Sequence, residues 1–151
     1  MPAHTKPTVT FEGSTPILPV VDLVRSLDYY VKTLGFTLGW HAPGIVALVS
    51  RGGCKVMLAE GDQGTPGAWV WVGASEVGAL HEEYVRRGAM VRQGPTNFPW
   101  ALEIQIADPD GNVLRFGSEP IEGEAEGPWL DMRGDRWKKT TDGWRKQESP
   151  G

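Results

Sequence analysis

The sequence predicts an α+β fold: two βαβββ modules forming curled mixed sheets around a cleft, helices outside, plus a C-terminal extension. Three observations lead there. Two segments repeat the same order of short apolar strand, helix start, Tyr-Val pair and helix-ending glycine, at an offset of about 53 positions. Three strand-like runs follow each helix. The pattern stops near Pro120, beyond which three of the seven tryptophans stand among alternating charges.

The first unit opens with the strand Ile17-Leu-Pro-Val-Val and continues from Asp22 through Tyr29-Tyr30 to Gly35. Val24, Leu27, Val31 and Leu34 keep helical spacing, Asp22 is placed to cap the helix N-terminus, and Gly35 to end it. Runs 36–41, 45–49 and 55–59 then read as strands, with Arg51-Gly-Gly as a turn. The second unit opens with Trp69-Val-Trp-Val, caps its helix at Ser75 and ends it at Gly88, with Val77, Leu80, Tyr84 and Val85 as the apolar stripe. Its strands are 89–92, 102–107 and 113–116, and Asp108-Pro-Asp-Gly is the last turn. Gln93-Gly-Pro-Thr-Asn reads as a flexible connection. The expected divisions are 14–66, 67–120 and 121–151. Residues 121–127 are linker-like, and Asp142-Gly143 predicts a small hairpin in an extension docked by its tryptophans.

Composition narrows the function classes. Net charge is −4 with no basic block, which argues against a nucleic-acid partner. No window approaches the ~18 apolar residues of a membrane span, and no secretory h-region precedes Gly13, so a cytoplasmic protein is expected. Cys54 is the only cysteine, which excludes an intrachain disulfide. Neither a nucleophile elbow nor a phosphate-binding loop occurs. The Asp108/Asp110 pair lies in a turn signature, where carboxylates serve the backbone.

With these motifs in order, the chain resembles the glyoxalase, bleomycin-resistance and extradiol-dioxygenase (vicinal oxygen chelate) superfamily. The residues that carry the likeness are the paired modules, Asp22-Leu…Tyr29-Tyr30…Leu34-Gly35-Phe36 and Asp108-Pro-Asp-Gly-Asn, from about Ser14 to Pro120. Pro16-Ile-Leu-Pro, Ala68-Trp-Val-Trp-Val and Pro99-Trp100 followed by Glu103 are similar to segments of bleomycin-resistance proteins. That resemblance implies a homodimer with clefts at the subunit interface, which binds a drug and does no chemistry on it. Two positions depart from the drug-binding pattern. An acidic group is replaced around Leu38-Gly39, and a phenylalanine wall is Ile45, so the likeness points to a ligand class more than to bleomycin itself.

The superfamily's enzymes hold a divalent metal with His, Glu or Gln from equivalent strands. Matched to that pattern, the ligand positions fall near Thr15 and at Met57, Trp69 and Arg115, which offer no set of hard N/O donors. His4, His41 and His81 form no pair with ligand spacing. The expectation is no metal, no cofactor and no catalytic residue.

Alternation along a strand puts Trp69 and Trp71 on one face and Val70 and Val72 on the other. The valines suit a core and the tryptophans a cleft. The candidate ligand-binding residues are therefore Trp40, Trp69, Trp71, Phe98, Trp100, Glu103, Arg115 and Glu60. By the resemblance, Trp100 is the ring that stacks on a flat ligand, with Trp40 and Phe98 as further walls. Glu103 and Glu60 are candidates to meet a ligand's cationic groups, and Arg115 to bind an anion, pair with Glu103 or reach solvent, the pair being the favoured reading. Each aromatic has a rival reading as core filler. The expected function is sequestration of a planar, cationic, antibiotic-type small molecule. A metal-dependent lyase, isomerase or dioxygenase with an atypical site, and a protein-docking module built on the Trp-rich extension, are the alternatives. The residues leave open the ligand's identity, exchange of the first strand between subunits, and the placement of residues 121–151.

Overall fold

The computed structural model describes residues 7–61 and 63–148, so His4 lies outside the described residues. The first module runs β1 (Ile17–Val20), α1 (Leu23–Asp28), a π-helical turn (Tyr29–Thr33), β2 (Thr37–Ala42), β3 (Val46–Arg51) and β4 (Cys54–Glu60). The second runs β5 (Trp69–Gly73), α2 (Val77–Arg86), β6 (Met90–Asn97), β7 (Leu102–Ala107) and β8 (Val113–Ser118). Their sheets have the same order, β1-β4-β3-β2 and β5-β8-β7-β6. The first and last strands of each module pair in parallel, and the other neighbours are antiparallel. The expected α+β fold of two βαβββ modules is therefore the observed one.

Local chemistry explains most element ends. Asp22 caps α1 by accepting the Arg25 N–H at 3.2 Å, and Gly35 and Gly88 each end a helical segment at φ +76°, a region glycine enters without a Cβ penalty. The second helix differs from expectation. Its cap position is Glu76, not Ser75, and no side chain bonds there. Strand β6 also continues where a flexible connection was expected. It passes Gly94-Pro95 through two register shifts against β7, as an edge strand can when a proline removes one donor.

Both modules feed one core. Leu18, Leu23, Tyr30, Val49 and Leu58 of the first pack in the same cluster as Tyr84, Ile104, Ile106, Leu114 and Phe116 of the second. Each fully buried aliphatic side chain contributes about 1.5–3 kcal/mol, so this cluster dominates the favourable side of folding. Polar contacts fix the modules' orientation. The Tyr30 hydroxyl donates to Asp108 Oδ2 at 3.0 Å, Tyr29 to the Ala107 carbonyl at 2.7 Å, and Tyr84 to the Leu34 carbonyl at 2.8 Å. The Asp108-Pro-Asp-Gly-Asn turn thus does more than reverse the chain. Asp110 accepts the Val21 N–H and the Ser26 hydroxyl, and Asn112 donates to the Pro19 carbonyl.

The extension forms a third sheet, β11-β10-β9, from β9 (Trp129–Leu130), β10 (Arg136–Thr140) and β11 (Gly143–Lys146). The hairpin between β10 and β11 turns at Thr141-Asp142, as the Asp142-Gly143 signal predicts. It is docked on the second module. Gln93 and Gln105 donate to the carbonyls of Pro128 and Leu130 at 2.7 and 2.9 Å, and Arg92 to those of Leu130 and Asp131.

Candidate functional site

On the second sheet, alternation divides the side chains cleanly. Val70 and Val72 of β5 pack against the core, as do Ile104 and Ile106 of β7 and Leu114 and Phe116 of β8. Trp69, Trp71, Glu103, Gln105 and Arg115 therefore occupy the opposite face, as period-two geometry requires. Phe98 and Trp100 arrive on the bend between β6 and β7.

Glu103 organises this face. It is only 1% exposed, and an isolated carboxylate at that depth would be costly. Arg115 answers it with a two-pronged contact, Nε to Oε1 at 2.9 Å and Nη2 to Oε2 at 3.1 Å. Oε2 also accepts the indole N–H groups of Trp100 at 2.5 Å and Trp71 at 3.2 Å. The internal Glu103–Arg115 pair is the arrangement expected for Arg115. Its consequence is that Glu103 is fully engaged and holds two indoles in place.

The rings form a continuous group. Phe98 and Trp100 stack in parallel, with centroids 4.9 Å apart and planes 2° apart. Phe98 is buried, whereas Trp100 is 49% exposed. Trp129 of the extension stands edge-on to Phe98 and Trp100 and 6.2 Å from Trp69. Trp144 approaches Phe98 and Trp100 at 6.0 and 5.9 Å. Two guanidinium groups lie on indoles, Arg115 over Trp129 at 4.4 Å and Arg92 over Trp69 at 5.1 Å. Trp100, Arg115, Trp129, Asp131, Trp137 and Trp144 line an open cavity of about 470 Å³. That size suits a small molecule.

The structure thus brings together six of the eight sequence-derived candidates: Trp69, Trp71, Phe98, Trp100, Glu103 and Arg115. Trp40 and Glu60 lie apart, on the first module. Trp40 is 46% exposed on β2, and Glu60 accepts the Leu23 N–H at 2.9 Å, bonding the first residue of α1. Trp129, Asp131, Trp137 and Trp144 are the residues that sequence reasoning did not assign to the site. The high density of tryptophan in the extension was the available signal. It indicated docking, but not the face on which the extension docks.

A wider groove of about 1200 Å³ runs beside β5 and α2, past the β3–β4 turn. Trp69 and Trp71 line it, and of its charged residues Arg51, Lys55, Glu76 and Glu83, Arg51 and Glu83 pair with each other at 2.7 Å. Burial pushes the Cys54 thiol above its ordinary pKa, which disfavours the thiolate. A divalent ion of the kind used by the superfamily's enzymes does not fit the matching positions. Met57 and Arg115 bring a thioether and a guanidinium engaged by Glu103, and Trp69 brings an indole covered by Trp129 and Arg92. Among the described residues, no three His, Cys, Asp or Glu side chains gather as a possible metal site.

Residues 8–116 match the Glyoxalase/Bleomycin resistance protein/Dioxygenase superfamily. Similar solved structures include TnmS3, an antibiotic-binding protein from Streptomyces sp. CB03234, at 28% identity and TM-score 0.63, covering 76% of this chain and 100% of that one. The bleomycin-binding protein of Streptomyces verticillus, complexed with copper(II)-bleomycin, is 26% identical with TM-score 0.61, covering 74% and 98%. A glyoxalase/bleomycin resistance protein from Streptomyces sp. CB03234 is 30% identical with TM-score 0.56, covering 70% and 100%. No curated protein matches the chain in sequence. The family match ends before the extension begins.

Proposed function

The chain belongs to the glyoxalase/bleomycin resistance protein/dioxygenase superfamily, and on that premise we propose that it sequesters a planar, cationic, antibiotic-like small molecule by aromatic stacking. It needs no metal and does no chemistry on its ligand. One observation carries the reading: Trp100 is a preorganised stacking platform. Its back rests in parallel on buried Phe98, its N–H is tied to Glu103, and half of its surface stays open. A ring held this way loses little freedom when a flat ligand arrives. Stacking on one aromatic side chain is worth about 1–3 kcal/mol, by analogy with nucleobases. Several such walls supply a useful part of the roughly 8 kcal/mol that micromolar binding needs.

The antibiotic-binding protein and the bleomycin-binding protein, similar at 28% and 26% identity, support a binding role over catalysis. The absence of a fitting donor set at the matching metal positions supports it independently. A homodimer in the cytoplasm belongs to the proposal. The exposed apolar side chains Ile17, Leu38 and Trp40 of the first module are the surface that a second copy would cover. None of the described helices is long and apolar enough to cross a membrane.

The test is tryptophan fluorescence of chelator-treated protein, titrated with metal-free bleomycin and a panel of planar cationic antibiotics. Saturable quenching by at least one compound, lost in Trp100→Ala, is the expected result. Flat titrations across the panel would remove drug sequestration as the function.

A further inference from the structure

We propose that the extension completes the binding site within one chain, and that the cavity between Trp100, Arg115, Trp129, Asp131, Trp137 and Trp144 is an aromatic cage for a planar heteroaromatic cation, with Asp131 supplying the counter-charge. This inference rests on the stacking role of Trp100 and adds side walls from the extension, which lies outside the part of the chain that matches the family.

One face of Trp100 is covered by Phe98, so the open surface of this 49% exposed residue lies away from Phe98. Trp100 also lines the cavity, whereas Phe98 does not. Trp129 and Trp144 are inclined to Trp100 by 71° and 51°, so the three rings form a corner and not a closed stack. Trp129 lies nearer Phe98 than Trp100, at 5.7 against 6.5 Å, and Trp144 is about as near to either, at 6.0 and 5.9 Å, so both flank the Phe98–Trp100 stack and bound the cavity from its side.

The walls' chemistry then selects the ligand. Of their polar groups, the Trp100 N–H is engaged with Glu103, Arg115 with both Glu103 oxygens, and the Trp137 N–H with Asp131 Oδ2 at 2.9 Å, whereas the N–H groups of Trp129 and Trp144 bond no side chain among the described residues. Indole faces remain, and these attract cations through the ring quadrupole. The protein already uses this preference internally, seating the planar cations of Arg115 and Arg92 on Trp129 and Trp69.

Charge points the same way. Arg115 offsets Glu103, which leaves Asp131 as the carboxylate at the cavity. Its Oδ1 accepts the backbone N–H groups of Arg133 and Asp135, and although no lysine or arginine lies within salt-bridge distance of it among the described residues, the charges of Arg133 and Arg92 reach it from a greater distance. The Trp137 N–H and these backbone donors hold its pKa below the ordinary carboxylate value, so it stays ionised at neutral pH.

Three probes of one ring shape and different charge test the proposal on the full chain at about pH 8: N-methylacridinium, neutral acridine and acridine-9-carboxylate. N-methylacridinium is expected to bind tightest, acridine about tenfold more weakly, and the carboxylate without saturation. Trp144 makes no polar contact in the cage, so Trp144→Ala is expected to fold normally and weaken N-methylacridinium about tenfold, with Trp144→Phe recovering part. Asp131→Asn keeps one acceptor oxygen for the Arg133 and Asp135 N–H groups but turns an NH2 towards the Trp137 N–H, so it is expected to weaken the cation more than neutral acridine, whose affinity reports the state of the cage. Equal affinity for the cation and neutral acridine would overturn the cation assignment. Parallel loss of both in Asp131→Asn would overturn charge selection by that residue. If Trp100→Ala abolishes binding and Trp144→Ala does not weaken it, the cage is wrong and the stacking reading survives. If N-methylacridinium binds and Trp100→Ala leaves it unchanged, both fail.

Discussion

Arg115 lies between Glu103 and Trp129, holding both carboxylate oxygens while its Cζ sits 4.4 Å from the Trp129 ring centroid. One guanidinium therefore neutralises a buried acid of the second sheet and pins the extension above it. Removing it leaves Glu103, 1% exposed, without its cation. Arg115→Ala is expected to lower stability by about 3–5 kcal/mol in chemical denaturation, as for other broken buried pairs. Arg115→Lys keeps the charge but not the fork and falls between. In the double variant Glu103→Leu/Arg115→Met the uncompensated charge is gone, so most of the loss returns. An equally unstable double variant would show that packing, and not charge, dominates here.

Asp108 provides a second test, because its carboxylate gathers four donors from both modules. The N–H groups of Asp110 and Asn112 meet Oδ1, and the Asn112 amide and Tyr30 hydroxyl meet Oδ2. An amide in its place points its own donors at two others. Asp108→Asn is therefore expected to cost about 1–3 kcal/mol, read as a lower urea midpoint with an unchanged slope. A neutral result would mean that the turn holds its shape without this carboxylate.

Much of this architecture is legible in the sequence, for a local reason. The Asp22 cap, Gly35, Gly88 and the Asp108 turn each act over a few residues, so their types announce them. Of the expected helix stripes, Leu34, Val77 and Tyr84 are buried, but Val24 and Val85 are exposed, and Leu23 and Tyr30 are buried in the first helix instead. Trp69 and Trp71 were placed on one face by strand alternation alone. Where the reading failed, longer-range forces decided. Gly94-Pro95 looks like a break, yet pairing to β7 carries the strand through it. Ser75 is a better capping residue than Glu76, yet helix α2 begins after Glu76. The extension's hairpin was readable from Asp142-Gly143, but its seat was not. Gln93, Gln105 and Arg92 look like ordinary exposed polar residues until Pro128, Leu130 and Asp131 arrive to receive them.

Tyr84 predicts how stability changes in alkali. Its hydroxyl donates to the Leu34 carbonyl, and burial pushes its pKa up to about 12, with nearby Arg51 opposing the rise. A phenol whose pKa is higher folded than unfolded contributes fully below the ordinary value near 10. That contribution is lost as pH rises from there toward 12. The wild type is expected to lose melting temperature over this window. Tyr84→Phe starts lower, for want of the hydrogen bond, but declines less steeply. Identical slopes for the two proteins would assign the alkaline loss to other groups.

Arg92 tests whether the extension is a separate layer or part of the core. Its guanidinium donates to the carbonyls of Leu130 and Asp131 and to the Gln105 side chain, and it lies over Trp69. All but the Gln105 and Trp69 contacts join the second sheet to the extension, so removing the side chain weakens the seam and leaves the main core cluster untouched. Arg92→Ala is expected to speed amide exchange in β9, β10 and β11 while β3, β4 and β7 keep their protection. Local opening of this kind has its own free energy, below that of global unfolding. Protease cleavage between residues 121 and 127 should rise in step. If exchange accelerates equally in β3 and β9, the extension unfolds together with the core, and the site it walls is as rigid as the fold itself.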